Sequence, residues 1–366
     1  MTRICWHALL RWKPSSRNGW TGGQYSLLRF ALACFVVAVV FMLPVAVWWQ
    51  SLALILAACL AFGCFDRVAA FALLLMFRIE APDPTFGLLL MLGLHVLGPG
   101  KPFGAWSARG RPHPGGGWRR PDWHFALALL PFAAVVCMFV VPLSIMLVFP
   151  AHVPELDVLR LIIWGAIAPI LWLYLSPGVR PFFWAGALLL TLLFASGYPV
   201  VGSTSSIVLA ATFVLMLTLA FDPAWIPARR TEEPEVVYYD GDCGLCHGAV
   251  RFLLAEDRGG KGFRYAALQS EHFAEHVSEA ERAGLADSVI LRTADGRLLQ
   301  RSDAAVHVLL ALGGLWRVIG GALWLVPRPL RDFVYDGVAR VRKRLFRAPE
   351  GLCPLIPPEL GARFLA

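Results

Sequence analysis

Apolar residues are segregated along this chain. Almost every long hydrophobic run lies before Arg230, interrupted only by short loops, and the remainder reads as an ordinary water-facing domain. Overall 58% of residues are hydrophobic and 16% are charged, against roughly 45–50% and about 25% in soluble domains. An excess confined to one half cannot be absorbed in a soluble core, and a bilayer is the solvent that accepts it, provided that the backbone is helical.

A helix needs about 20 apolar residues to cross the hydrocarbon. Runs at 25–49, 124–149, 158–176, 181–197 and 204–221 are the clear candidates. The stretch 51–98 reads as three shorter helices, at 51–65, 67–79 and 84–98, with Asp66 and Arg67 in a tight turn at the interface. One long helix over 51–78 would hold both charges in mid-membrane, at a cost of about 2.5–3.5 kcal/mol each. Basic residues cluster in the N-terminal flank (Arg3, Arg11, Lys13, Arg17), in the loop 99–123, at Arg180 and at Arg229–Arg230, while 150–157 and 198–203 have none. With basic loops kept inside, about eight segments with both termini cytoplasmic satisfy the pattern, leaving Arg78 and Arg160 near the outer face. The net charge of +8 then belongs to membrane-flanking loops and gives no ground for nucleic-acid binding. The run from Tyr25 to Trp49 is too long for a signal-peptide core and reads as the first anchor. Single polar residues in this half have structural readings: Arg29 snorkels to the headgroups, and His95 and His124 are interfacial. Cys59 and Cys64, five apart, point to different helix faces.

After a linker at 229–234 the pattern changes. Val236 to Tyr239, Phe263 to Leu268, Ser288 to Thr293 and Arg297 to Arg301 read as strands. Ala249 to Ala255, 270–285 and Ser302 to Leu312 read as helices, with Ser302 or Asp303 as a cap and Asp295-Gly296 as a hairpin turn. The order β-α-β-α-β-β-α is that of thioredoxin. The expected architecture is thus an all-α polytopic membrane domain (1–228) followed by an α/β (α+β) thioredoxin-like domain (235–366), at a bacterial-type inner membrane with the C-terminal domain cytoplasmic.

Eight cysteines are too sparse for a disulfide scaffold, and only Cys243 and Cys246 have a redox spacing. They fall where the first strand meets the first helix. A thiol there sees free backbone N–H groups and the positive end of the helix dipole, both favouring the thiolate. Cys243 is expected to be exposed, readily ionised and the attacking sulfur, with Cys246 resolving the mixed disulfide. Asp240 and Asp242 oppose that ionisation by their charge. Asp242 has a capping role as its alternative, and Asp240 either a turn role or proton transfer to the resolving thiol. In a reducing compartment the resting pair is expected as dithiol.

Asp240-x-x-Cys243-x-x-Cys246 after a β-run resembles the DCC family of thiol-disulfide oxidoreductases. Phe263 to Ser270, Arg301-Ser302-Asp303-Ala304, Pro327-Arg328, Arg331 to Asp336 and Cys353 look like further family blocks, so the likeness covers about 235–365. Val341 and Lys343 depart from the family's Asn and Tyr, and Asp287 stands where thioredoxins place a proline before the third strand. In the membrane half, Gly63-Cys64-Phe65-Asp66-Arg67 and Gly98-Pro99-Gly100 resemble DoxX-like proteins, and Leu217 to Pro227 resembles the end of HTTM domains.

Other chemistries fit less well. Half a zinc site needs two more ligands, and His247, His272 and Cys353 have no metal-like spacing. Tyr239-Asp240-Gly241-Asp242 mimics the start of a haloacid-dehalogenase-type phosphatase, with Thr293 as second element, but no later acidic pair follows. The expected function is a membrane-anchored thiol-disulfide oxidoreductase acting on a protein or small-molecule thiol or disulfide, with no cofactor and no metal. The alternative is a membrane domain that handles a lipid or quinone while the other domain senses or docks. The basic stretch Arg340, Arg342, Lys343, Arg344 and Arg347 reads either as a contact to anionic lipid of the bilayer or as a solvated face.

Overall fold

The computed structural model describes residues 18–80, 86–128, 181–182, 184–186, 188–189, 204–229, 231–285, 288–345 and 358–365. Its N-terminal region is helical. Helix α1 (Gly22–Met42) is capped by Thr21, whose hydroxyl accepts the Gln24 amide. It is followed by α2 (Val47–Phe62), α3 (Asp66–Glu80), α4 (Phe86–Leu97) and, later, α5 (Thr204–Ala220). Gly63 ends α2 in the left-handed conformation, φ 70°, with its N–H turned back to the helix carbonyls. That conformation is cheap only without a Cβ. A turn between two helices is present, but it falls at 63–65, just before the expected position, and Asp66 and Arg67 open α3 instead of forming the turn. Cys59 and Cys64 are not bonded to each other.

Among the described residues only α1 is long and apolar enough to cross a membrane; α2 and α4 are apolar but shorter. The expectation of about eight spanning segments thus meets one full-length helix, because the break at Gly63 leaves α2 at 16 residues and α3 at 15. Most of the candidates at 124–149, 158–176 and 181–197 falls outside the described residues. The helices pack around Leu32, Val36, Leu60, Leu73, Phe77 and Leu92.

Three polar residues first read as interfacial are buried. Arg29 is 2% exposed and lies 3.6 Å from the Asp66 carboxylate. His95 approaches the same carboxylate at 3.5 Å and bonds the Tyr25 hydroxyl. His124 bonds the Leu94 carbonyl. Helical hydropathy could not show this, because the partners come from four different helical stretches brought together at one end of the bundle.

The C-terminal region is built on a four-stranded mixed sheet in the order β2-β1-β3-β4, where β1 is Glu235–Tyr239, β2 Phe263–Ala267, β3 Ile290–Arg292 and β4 Leu298–Gln300. β1 runs parallel to β2 and antiparallel to β3. Alternate residues serve opposite faces. Val237, Phe263, Tyr265 and Leu291 pack under α6 (Gly244–Glu256) and α9 (Arg301–Leu312). Tyr238, Ala266 and Ile290 meet Phe273 and Val277 on the other face. The single helix expected over 270–285 is two, α7 (Glu271–His276) and α8 (Glu279–Ala283), because Ser278 and Glu281 form a capping box that restarts it. Two further helices, α10 (Gly314–Leu325) and α11 (Arg328–Leu345), follow α9, and α12 (Pro358–Gly361) leads a last segment that pairs with Tyr265 on the outer edge of β2.

Candidate redox centre

β1 ends at Tyr239 and the chain makes a tight turn into α6. The Asp240 carboxylate accepts the Asp242 amide at 3.0 Å, an Asx-turn, and the Cys243 amide reaches the Asp240 carbonyl. Cys243 is the N-cap of α6, with extended backbone and no side-chain cap bond. Cys246 stands one turn inside, and the two cysteine side chains lie near each other. His247 sets its Nε2 2.7 Å from the Gly241 carbonyl, and Tyr239 meets its ring edge-on.

The exposed nucleophile expected at Cys243 is not found: its relative exposure is 0%, and that of Cys246 is 2%. The turn explains the difference. Asp240 and His247 fold residues 240–242 back onto the start of α6, so the capping thiol faces inward. Asp240 is buried beside it, whereas Asp242 is exposed and does not cap the helix. Thr293, the second element of the phosphatase reading, bonds Asp295 and the Arg297 carbonyl within the β3–β4 turn. Cys353 lies outside the described residues. Neither Cys243 nor Cys246 is in a disulfide, and no group of three metal-ligating side chains occurs among the described residues.

Beside Cys246 lies a cavity of about 280 Å³ between the sheet, α6, α9 and α11, walled by Cys246, Leu291, Val308 and Ala339, with Tyr239, Arg301 and Tyr335 as its members that carry polar groups. Reading the sequence missed it, because α11 was not foreseen as a wall. α9 begins at Arg301, not at a Ser302 or Asp303 cap, and Arg301 holds φ 54°. Ser302 and Asp303 bind α11 instead: the Ser302 hydroxyl donates to Asp332, and Asp303 meets Arg331 and Arg328 at 3.1 Å each. The Tyr335 hydroxyl accepts the Val289 amide.

Residues 237–348 match the family described as DCC1-like thiol-disulfide oxidoreductase. The uncharacterized protein YuxK of Bacillus subtilis (strain 168) is 35% identical over 134 residues, spanning 36% of this chain and 93% of that protein. The chain belongs to the DCC1-like family. A DCC family protein of Arabidopsis thaliana, At1g52590, chloroplastic, is 29% identical over 111 residues, or 30% of this chain and 64% of that protein. No solved structure matches. Membership places the chain among the thiol-disulfide oxidoreductases. The DCC1-like match lies wholly in the C-terminal region, and the DoxX-like and HTTM resemblances gain no support from it.

Proposed function

We propose that the protein is a membrane-anchored thiol-disulfide oxidoreductase whose centre is the Cys243–Cys246 pair, carried on a thioredoxin-like domain (235–366) behind a polytopic helical domain (1–228). One observation carries the reading: the first cysteine occupies the N-cap of α6 and the second its first turn. Helix N-termini stabilise a thiolate through unpaired N–H groups and the dipole, and a dithiol one turn apart closes to a disulfide. Asp240 shapes the turn that carries Cys243, and Asp242 adds a negative charge at its solvent side. Substrates are thiols or disulfides.

Anchoring is supported by α1 and by the outward face of the bundle. Trp48, Ile55, Phe62, Val68 and Ile79 are each more than half exposed, a pattern suited to lipid and costly in water. The basic loops favour a cytoplasmic C-terminal domain in a bacterial-type inner membrane.

Cys243→Ser and Cys246→Ser variants of the full chain test the centre. Each should retain a mixed disulfide on its remaining cysteine after exposure to a disulfide, while the parent forms the internal disulfide instead. Mass spectrometry that finds no such adducts and no internal bond overturns the assignment. Fractionation that recovers the full chain without detergent overturns the anchoring.

A further inference from the structure

A redox centre with both sulfurs buried is closed to the cystine of a folded protein, yet a cavity stands open beside one of them. Its walls are almost wholly apolar, and its volume is about 280 Å³. An apolar cavity of about 150 Å³ suffices for a benzene molecule, so this one takes a substituted aromatic ring or a branched aliphatic group of similar bulk. Of the two cysteines, only Cys246 lines it. Among its lining residues is Arg301, a non-glycine residue in the left-handed region at φ 54°, a strained backbone held by the surroundings. Its Nε is buried and has no hydrogen-bond partner among the described residues, while an Nη lies 3.5 Å from Asp336.

From this geometry, and resting on the thiol-disulfide reading above, we infer that the cavity is the substrate site and that its substrate is a small apolar disulfide, which Cys246 opens and Cys243 then resolves. The thiolate of Cys246 attacks one sulfur of R–S–S–R. The substrate S–S bond breaks, a Cys246–S–S–R bond forms, and R–S⁻ leaves beside the Arg301 guanidinium. The Cys243 thiolate, at the N-cap of α6, next attacks the Cys246 sulfur and expels the second R–S⁻. The protein dithiol is oxidised to a disulfide, the substrate is reduced to two thiols, and the two protons of the dithiol end on the two R–SH. For a ligand in the cavity the expected order of the two sulfurs is thereby exchanged.

The test uses the reduced full chain in detergent and two neutral probes, dibenzyl disulfide and bis(2-hydroxyethyl) disulfide, with adducts located by peptide mass spectrometry. In Cys243→Ser, dibenzyl disulfide should leave a lasting benzylthio adduct on Cys246. Ala339→Phe, which fills the cavity from α11, should slow oxidation of the Cys243–Cys246 pair by dibenzyl disulfide at least 10-fold and by the smaller, more polar hydroxyethyl probe by a clearly smaller factor. Should that variant not fold, toluene added to the parent protein as an unreactive occupant should give the same selective slowing. If the pair is oxidised by both probes at rates indifferent to Ala339→Phe and to toluene, the cavity inference is overturned and the redox centre stands. If neither probe oxidises the pair, the thiol-disulfide reading itself falls.

Discussion

The Glu256 carboxylate accepts the Gly23 amide at 2.8 Å, so the far end of the cysteine-bearing helix is fastened to the first turn of α1. The same carboxylate receives the Thr21 hydroxyl and the Trp316 indole N–H at 2.5 Å. α6 therefore spans the distance from the redox centre to the start of the helical region, with Cys243 at one end and Glu256 at the other. Arg251 to the Arg111 carbonyl, and the Gly314 amide to the Ile226 carbonyl, join the two regions nearby.

Replacing Glu256 with Ala should loosen this junction. It leaves several buried donors without an acceptor, at about 1–3 kcal/mol each, so a loss of at least about 2 kcal/mol is expected in thermal or chemical unfolding of the full chain. The pH dependence has a definite sign. Burial raises the Glu256 pKa above its ordinary value, and the bonds from Thr21, Trp316 and Gly23 offset this only in part. The folded state thus binds its proton more tightly than the unfolded state does. Its stabilising contribution is fullest below the ordinary glutamate pKa and declines as pH rises through the raised value. Glu256→Gln, which cannot ionise, should flatten that decline.

Part of this architecture was legible in the sequence. The succession of strands and helices along the chain, the Asp295-Gly296 hairpin and the cysteine pair at a strand–helix junction follow from local alternation and turn chemistry, which neighbouring residues determine. A break between helices near Asp66 followed from the cost of charge inside a membrane, although it lies at 63–65 and leaves Asp66 helical. Features that depend on distant partners did not show. Arg29 looked like a snorkelling residue because nothing near it in sequence announces Asp66. Cys243 looked exposed because helix N-termini usually are, whereas the Asp240 and His247 bonds shape a turn in which it is buried. α11 reads locally as a basic, mixed stretch, and its role as a cavity wall rests on Ser302 and Asp303, some 30 residues earlier.

The clamp on α11 should open in acid. The Ser302 hydroxyl, ahead of the Arg328 and Arg301 charges, holds the Asp332 carboxyl below its ordinary value. A depressed carboxylate stabilises the fold above its unfolded pKa, and that contribution disappears as pH falls through the folded value. Amide exchange in 328–341 should therefore accelerate below the ordinary aspartate range. Asp332→Asn should show the faster exchange already at neutral pH, with α6 and the sheet unaffected.

Arg29 and Asp66 pair between α1 and the start of α3 with little exposure of either side chain. Removing one partner of a buried pair typically costs about 3–5 kcal/mol, while replacing both with apolar residues is often neutral. Arg29→Met and Asp66→Leu should each lower the thermal stability of the purified full chain markedly, and the double variant should recover most of the loss. Additive losses in that cycle would show that His95 or the Ala61 carbonyl, which also meets Arg29, carries the restraint.

The last residues close an edge that would otherwise invite association. β2 is the outer strand of the sheet, and its Tyr265 exchanges backbone bonds with Arg363 and Leu365 at 2.9 and 2.8 Å. Unpaired strand edges template pairing with other chains. The Arg363 guanidinium locks the segment in place, meeting Asp257 at 2.6 Å and the Tyr265 hydroxyl at 2.9 Å, all three nearly buried. Arg363→Ala should cost about 3–5 kcal/mol, because it strands the Asp257 charge and the tyrosine hydroxyl. Deleting 358–366 should go further and expose the β2 backbone, raising the oligomer fraction seen by light scattering in proportion to protein concentration. A truncated chain that remains as disperse as the parent would mean that β2 is protected by its own twist and charge, and that the Arg363 lock serves stability alone.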